Sequence, residues 1–518
     1  MEPSRPDLRL QNTLTRRVEP LVPEAHDADG RPLLRFYSCG PTVYSYAHVG
    51  NFRTFLTADL VVRTAAALGW AVRYVSNITD VGHLTEDDVA DASGEDRMAK
   101  ALRSKEGEAF ASVWDLARHY TATLEDDWRA LNLREPDVRP RATEHVREQI
   151  LATEQLVERG HAYETADGVY FHVPSFPGYG RLSGNTDAGQ LTEGTRELVR
   201  DEGKKDPRDF ALWKKDPHHL MQWHSPFGWG FPGWHLECSV MAMRYLGETI
   251  DLHGGGEDLR FPHHECEIAQ SESLTGKPFA KSWVHTRFLL VEGQKMSKRL
   301  GNFLTVRELT QRPDAGGRDD WGAPLDPLAL RYALMAGHYA KPLDLTREAL
   351  HAAGKNVARF READEAVRAA LDAPLPHVPM PAEAEALTRE LAAAYSEALA
   401  AMADDLHTPE ALAAARRGAD VVLAAGRAGT LPAAIPAARA FLDGVNALLG
   451  VVRSDYGAPP ADAGEAAFAE EVEALLVERT EARAARDFAR ADAIRARLTA
   501  LEVEVMDGPE GSTWRRKR

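Results

Sequence analysis

Cysteine is scarce in this chain. Cys39, Cys238 and Cys266 are all that 518 residues contain, too few for a disulfide framework at this size, so the thiols need another use. Long apolar runs are missing as well: no stretch approaches the roughly 20 residues that a helix needs to cross a bilayer, which predicts no membrane role. The opening residues, MEPSRPDLRLQNTLTRR, carry positive charge with no continuous apolar segment behind it. They read as neither signal peptide nor anchor, and the protein is expected to be cytoplasmic. Positive charge is in deficit, with 62 Lys and Arg against 79 Asp and Glu and a net charge of −17. That argues against a general nucleic-acid coat protein but leaves room for a local basic surface on an acidic body.

What is present is a globular composition, 44% hydrophobic and 27% charged, on a chain long enough for three or four domains of ~150 residues. The stretch Pro41 to Arg63 organises the reading. It follows an apolar run, Leu33 to Tyr37, with the character of a buried strand, and leads from Gly50 into a helix carrying Phe55, Leu56, Leu60 and Val61. A second strand, Ala71 to Ile78, completes a β-α-β unit, which favours a parallel sheet with a ligand crevice at the strand ends. His48, Gly50 and Asn51 stand at the helix mouth, where unpaired N–H groups and the helix dipole suit a phosphate. Thr79 and Asp80 fall at the next strand end.

From Glu86 to Leu131 the pattern is charged and mostly helical, and Thr143 to Arg159 reads as an amphipathic helix. Tyr163 to Val173 alternates like a hairpin around Ala166-Asp167-Gly168. Residues 126–224 are expected to form a domain inserted into the sheet domain, whose halves are 25–125 and 225–290.

The second half holds the densest chemistry. Trp234, His235, Glu237 and Cys238 precede a short helix, Ile250 to Leu252 reads as a strand, and Gly254, Gly255 and Gly256 open a loop before Asp258. HHECE then starts a helix that puts His263 and Glu267 at i and i+4 on one face, a spacing that lets two side chains share an ion. Cys238 and Cys39 would add thiolates to give a sulfur, nitrogen and oxygen set that suits zinc. Spacing alone does not fix the set, because His264, His253 and Cys266 are also candidates. Downstream, Lys295 and Lys298 lie on a loop bracketed by Gly293 and Gly301, able to carry two ammonium groups to polyphosphate oxygens.

Region 291–345 contains this loop, and 346–456 is alanine-rich with apolar residues at i, i+3 and i+4, the pattern of a helix bundle. After a proline-containing linker, Gly457 to Gly464, a helical segment runs from Ala467 to Leu498. The last residues set Trp514 among Arg515 and Arg516, an aromatic among cations that suits stacking on unpaired bases.

Together these residues carry a resemblance. His48-Val49-Gly50-Asn51 is similar to the HIGH element, and Lys295 to Arg299 to the KMSKS loop, of the cysteinyl-tRNA synthetases, which are class I aminoacyl-tRNA synthetases. Asn51 and Arg299 stand where those motifs have histidine and serine. The likeness runs nearly end to end, through NTLTR, FYSCGPTVY, NITD, GWHLECS, HGGGEDLRFPHHE and GSTWRRK.

The resemblance implies a Rossmann-like α/β catalytic domain with an inserted domain, a helical bundle, and an anticodon-binding domain at 466–518. It implies one Zn2+ per chain held by Cys39, Cys238, His263 and Glu267, selecting the thiolate of L-cysteine, and Mg2+ accompanying ATP. It also implies that His48, Asn51, Lys295 and Lys298 serve catalysis. Gly40, Thr42, Gly50, Thr79, Trp234, His235, Gly254, Gly255, Gly256 and Asp258 would line the amino-acid and ATP sites, and Trp514, Arg515 and Arg516 would contact tRNA(Cys). The implied protein is a monomer that forms cysteinyl-adenylate and transfers cysteine to tRNA. Two competing readings are an ATP-dependent ligase joining cysteine to an amino sugar, which has no use for an anticodon module, and a non-catalytic tRNA-binding paralogue, which would not retain His48, Lys295 and Lys298.

Overall fold

A computed structural model of the chain describes residues 6–82, 84, 95–185, 203–297, 300–311, 316–318, 321, 324–372 and 381–456, and towards the C-terminus 472, 475, 476, 478, 479, 482, 490, 494, 495, 497, 498, 503–508 and 511–516. The chain divides into two compact units, Met1–Asp455 and Tyr456–Arg518.

In the larger unit, the strand Pro32–Ser38 occupies the middle of a five-stranded sheet. It pairs in parallel with Ala71–Ser76 along one edge and with Ile250–Gly256 along the other, and Ala280–Thr286 extends the parallel set beyond Ile250–Gly256. The crossover to Ala71–Ser76 runs through the helix Val49–Ala67, whereas the other neighbour arrives only after a long excursion. The strand order therefore reverses at Pro32–Ser38, and the crevice beyond its C-terminal end is the place where open α/β sheets take ligands. The 49–67 helix is apolar nearly all round because the sheet meets it on one side and the helix Ile435–Leu449 on another.

The excursion contains an antiparallel sheet of five strands, in the order Ala162–Glu164, Gly168–Phe171, Phe210–Lys214, Gly228–Pro232, Trp223–Ser225. The hairpin around Ala166 to Gly168 is present, with Tyr163 opposite Tyr170. The bundle consists of the helices Arg347–Asp372, Pro381–Ala403, Thr408–Ala428 and Ile435–Leu449. The last two end on Gly429 and Gly450 at φ +72 and +66, the left-handed closure that glycine permits without a Cβ clash.

Three segments are ordered by tertiary pairing beyond what periodicity indicates. The lead-in contains a hairpin, Arg9–Asn12 with Arg17–Pro20, fastened to the sheet where Thr13 N donates to Trp283 O. Gly254 to Gly256 are not loop but the end of a strand, paired residue by residue as far as Gly256 with Thr286. The basic end of the chain is a hairpin, Val503–Gly508 with Gly511–Arg516, placing Trp514, Arg515 and Arg516 on its second strand. Short strands of mixed polarity give little periodic signal, and glycine is a poor strand former, so tertiary pairing decides all three. Most of the polar run Thr192 to Lys205, the linker Gly457 to Gly464, and Glu86 to Ser93 lie outside the described residues.

Candidate active site and metal centre

Cys39 directly follows the central strand, its N–H donating to Gly254 O across the reversal point at 3.1 Å. Cys238 comes from the first turns of the helix Trp234–Leu246, and His263 and Glu267 from the start of the helix His263–Thr275. Four side chains, all buried, thus converge from three elements. Cys39 Sγ lies 3.6 Å from Cys238 Sγ and 3.5 Å from Glu267 Oε1, and His263 Nε2 lies 3.1 Å from the same Oε1. Two Zn–S bonds of about 2.3 Å at a tetrahedral angle separate their sulfurs by roughly 3.8 Å, so the spacing of the two thiols fits zinc. Burial, reinforced by the neighbouring Cys238 and Glu267, pushes the Cys39 thiol well up, and burial raises Cys238 as well. A dication is what reverses such a preference and favours thiolates.

A second set overlaps the first: Cys39, His253, His264 and Glu267 also lie within reach of one ion. Several contacts favour the first set. His253 Nε2 sits 2.9 Å from Glu267 Oε2, behind the oxygen that faces Cys39 and His263. His264 Nε2 approaches Cys39 Sγ at 3.3 Å but stands 3.9 Å from Oε1. Only the first set uses both thiols. Cys266 is turned away, its Sγ 3.5 Å from Tyr179 OH in a separate apolar core.

Around the cluster the ring nitrogens are braced. His263 Nδ1 meets His235 Nδ1 at 2.9 Å, and the Trp234 ring stacks on His263 at 4.3 Å. His264 Nδ1 meets His285 Nε2 at 2.8 Å, and His285 Nδ1 meets Thr13 Oγ1 at 2.8 Å. Burial and the surrounding histidines hold His264 well below the usual imidazole value, and burial takes His285 down to about 3. Both rings are neutral at pH 7.

The crevice floor depends on missing side chains. A Cβ on Gly40 would sit 1.6 Å from Asn77 O; one on Gly255 would meet His264 Cε1 at 2.7 Å, and one on Gly256 would meet Asp258 Oδ1 at 2.4 Å. Asn77 joins two strand ends, accepting from Gly40 N at 2.8 Å and donating to Thr79 Oγ1, which in turn donates to Glu237 Oε2 at 2.8 Å. Thr42 bridges to Thr79. The sequence reading assigned no role to Asn77 or His285, and none of these contacts has a local signature, since the partners are far apart in the chain. Asp258 is exposed at the rim.

His48 is the N-cap of the 49–67 helix. Its Nδ1 accepts from Asn51 N at 3.2 Å while Asn51 Oδ1 accepts from His48 N at 3.1 Å, a reciprocal capping box. Burial lowers the His48 imidazole to about 4, so it is neutral at physiological pH. Gly50 faces Met296 of the lysine loop, and a Cβ there would lie 2.7 Å from Met296 Cε and 2.9 Å from the His48 ring. Lys295 is exposed on the short strand Gln294–Lys295, its Nζ 5.8 Å from the Phe288 ring centroid. Lys298 and Arg299 lie outside the described residues. Trp514, Arg515 and Arg516 belong to the separate C-terminal unit.

Comparison with known proteins assigns the family. Residues 28–355 match the family described as tRNA synthetases class I (C) catalytic domain, and residues 465–515 match the cysteinyl-tRNA ligase anticodon binding domain. Cysteine–tRNA ligase of Salinibacter ruber is 55% identical over 531 residues, covering 99% of both chains. That of Thermus thermophilus is 40% identical over 519 residues, covering 99% of this chain and 100% of the relative. Among solved structures, Mycobacterium tuberculosis methionyl-tRNA synthetase in complex with methionyl-adenylate superposes with a TM-score of 0.55 at 14% identity, over 81% of this chain and 92% of that one. At such identity the likeness is one of fold.

Proposed function

Because the chain belongs to the class I cysteine–tRNA ligase family, we propose that the crevice beyond the 32–38 and 250–256 strands is where its reaction takes place, and that the buried cluster there holds one Zn2+. The protein is an aminoacyl-tRNA synthetase whose substrates are cysteine, ATP and tRNA. The observation that carries the proposal is the convergence of Cys39, Cys238, His263 and Glu267 at the sheet's reversal point.

In this reading those four residues are the zinc ligands. Bound zinc supplies a soft, positively charged site that takes the thiolate of cysteine in preference to a serine hydroxyl. His235 orients His263, and His253 orients Glu267, as partners behind ligands do. Thr42, Thr79 and Trp234 line the amino-acid pocket, and the absence of side chains at Gly40 and Gly50 lets Asn77, and Met296 with the His48 ring, pack close to the backbone there. The glycine strand end and Asp258 face adenosine.

Attack of the cysteine carboxylate on the α-phosphate of ATP releases pyrophosphate, so the protein's task is to position the reactants and stabilise charge. His48, neutral, offers hydrogen bonding instead of charge, and Asn51 fixes its ring. Lys295 and Lys298, with Mg2+ carried on ATP, provide the positive charge. Trp514, Arg515 and Arg516 contact tRNA(Cys) near the anticodon. The division of labour is proposed to run over 25–125, 126–224, 225–290, 291–345, 346–456 and 466–518, with the strand Gly228–Pro232 of the inserted sheet lying beyond 224. No described helix is long and apolar enough to cross a membrane, the three cysteines are free thiols, and a monomer in the reducing cytoplasm is the setting that suits them.

The test is cysteine-dependent exchange of pyrophosphate into ATP, followed by charging of tRNA. Exchange and charging with cysteine, and neither with serine, is the expected result. Exchange without charging would contradict the ligase assignment, and absence of exchange would contradict the crevice as its site.

A further inference from the structure

Arg53 lies one turn into the helix that His48 caps, and its guanidinium is fully buried. Among the described residues no carboxylate pairs with it; burial lowers it to about 10, so it stays charged at neutral pH. An interior cation without a counter-charge is costly unless hydrogen bonds compensate. Here main-chain carbonyls do so. Nη1 donates to Arg287 O at 2.6 Å and to Phe288 O at 2.9 Å, and Nη2 to His338 O at 3.1 Å and to Lys341 O at 2.7 Å. Nε has no partner among the described residues, so the attachment rests on the two Nη groups.

Each Nη holds the start of one strand. Arg287 and Phe288 lead into Leu289–Val291, and the turn from His338 to Lys341 leads into Leu343–Leu345, which pairs with it in parallel. The Gln294–Lys295 strand of the lysine loop folds back on Leu289–Val291 through Glu292 and Gly293, at φ 49 and 74. Asp344 on the second strand accepts from Gly293 N at 2.8 Å. The far end of the loop returns to the same helix: Val49 N donates to Leu304 O at 2.9 Å, and His48 bridges to Thr305. Residues 49 and 53 stand one above the other on one helix face. A single helical turn therefore grips the lysine loop both where it sets out and where it comes back.

Apolar packing could join two strands without a buried charge, and a lysine would offer a single ammonium, whereas a planar fork suits two pairs of carbonyls at a fixed separation. We propose that Arg53 is a positioning residue for adenylate formation, setting where the lysine loop stands over the His48 helix mouth while touching neither substrate. The proposal rests on the ligase reading above, in which that loop meets the ATP phosphates. There a misplacement of about 1 Å costs up to about a hundredfold in rate.

The experiment compares the unsubstituted protein with Arg53→Lys, Arg53→Met and Asp344→Ala, the last at an exposed position whose loss leaves the interior intact. Zinc content is measured, and single turnovers of cysteinyl-adenylate formation give the amplitude per chain, the rate, and its dependence on ATP and on cysteine. Arg53→Met is expected to form adenylate at least about tenfold more slowly, Arg53→Lys to recover part of that loss, and Asp344→Ala to be slowed about two- to fivefold. Amplitude, zinc content and the half-saturating cysteine concentration stay within about twofold, because the metal cluster is built on other strand ends. A fall in amplitude at unchanged rate, an equal loss of cysteine affinity, or full rate in every variant that folds would overturn the proposal. If Arg53→Met does not fold, Arg53→Lys and Asp344→Ala decide it by the same rates. Failure of the unsubstituted protein to form adenylate would instead overturn the reading of the crevice.

Discussion

Glu267 links two layers of the site, with Oε1 facing Cys39 and His263 and Oε2 held by His253 at 2.9 Å. Replacing a ligand and replacing its support should therefore have separable effects. Cys238→Ser is expected to purify with little bound zinc and to lose its preference for cysteine over serine in pyrophosphate exchange; full metal content would count against the ligand set. His235→Ala keeps all four ligands but removes the brace on His263, and its zinc affinity should fall by about 10–100-fold, as read by competition with a chelator. His48 invites a pH measurement. Its imidazole ordinarily titrates at 6.5 and is lowered to about 4, so it does not change charge between pH 6 and 8 in the free protein. Because the unfolded chain takes up that proton first, His48 contributes to loss of stability as pH falls from 6.5 towards about 4, and no further below that. Much of this site was legible in the sequence because HHECE sets two donors one helical turn apart and the cysteines are so few. Asn77 and His285 were not, since each acts on residues brought near only by the sheet.

At the scale of elements, the 49–67 helix is fixed at both ends. Its first turn meets Met296 of the lysine loop at Gly50. Further along, Asp59 holds two fully buried guanidiniums, Arg63 on the same helix and Arg331 on the helix Pro327–Leu334. Arg63 also donates to the carbonyls of Asn132, Asn446 and Ala447, and Arg331 to those of Leu131, Asn132 and Leu449. Burial pushes the Asp59 carboxyl up, but Arg331 and Arg63 outweigh it and hold it below its ordinary 3.8. Asp59→Asn takes the paired carboxylate from buried Arg331 and leaves Arg63 with Asp455 alone, 3.0 Å away, and should cost about 3–5 kcal/mol in urea unfolding. With the folded value depressed, the contribution of Asp59 is complete above its ordinary 3.8 and is lost as pH falls below that towards the lowered folded value. The β-α-β unit was visible from its periodicity. The ion cluster was not, because Asp59 and Arg63 at i and i+4 look like any exposed helix pair until the bundle covers them.

The whole molecule consists of two compact units, Met1–Asp455 and Tyr456–Arg518, and the larger contains the entire crevice. A chain ending at Asp455 should fold and retain cysteine-dependent pyrophosphate exchange while charging tRNA at least about tenfold less efficiently, because the segment matching the anticodon-binding family is gone. Retained charging efficiency would show that the small unit does not contribute to tRNA selection. The succession of sheet, insertion, bundle and small terminal unit could be read from shifts in period and composition. The terminal hairpin could not, because a few residues of strand leave little trace next to a long helical pattern. In the proposed site, two cysteines at the sheet's reversal point hold a zinc ion that meets the thiol of the substrate. Zinc-edge X-ray absorption of the purified protein, with and without L-cysteine, reads that arrangement. Two sulfur neighbours are expected before cysteine is added and three after; a zinc environment without sulfur, or one unchanged by cysteine, would rule the arrangement out.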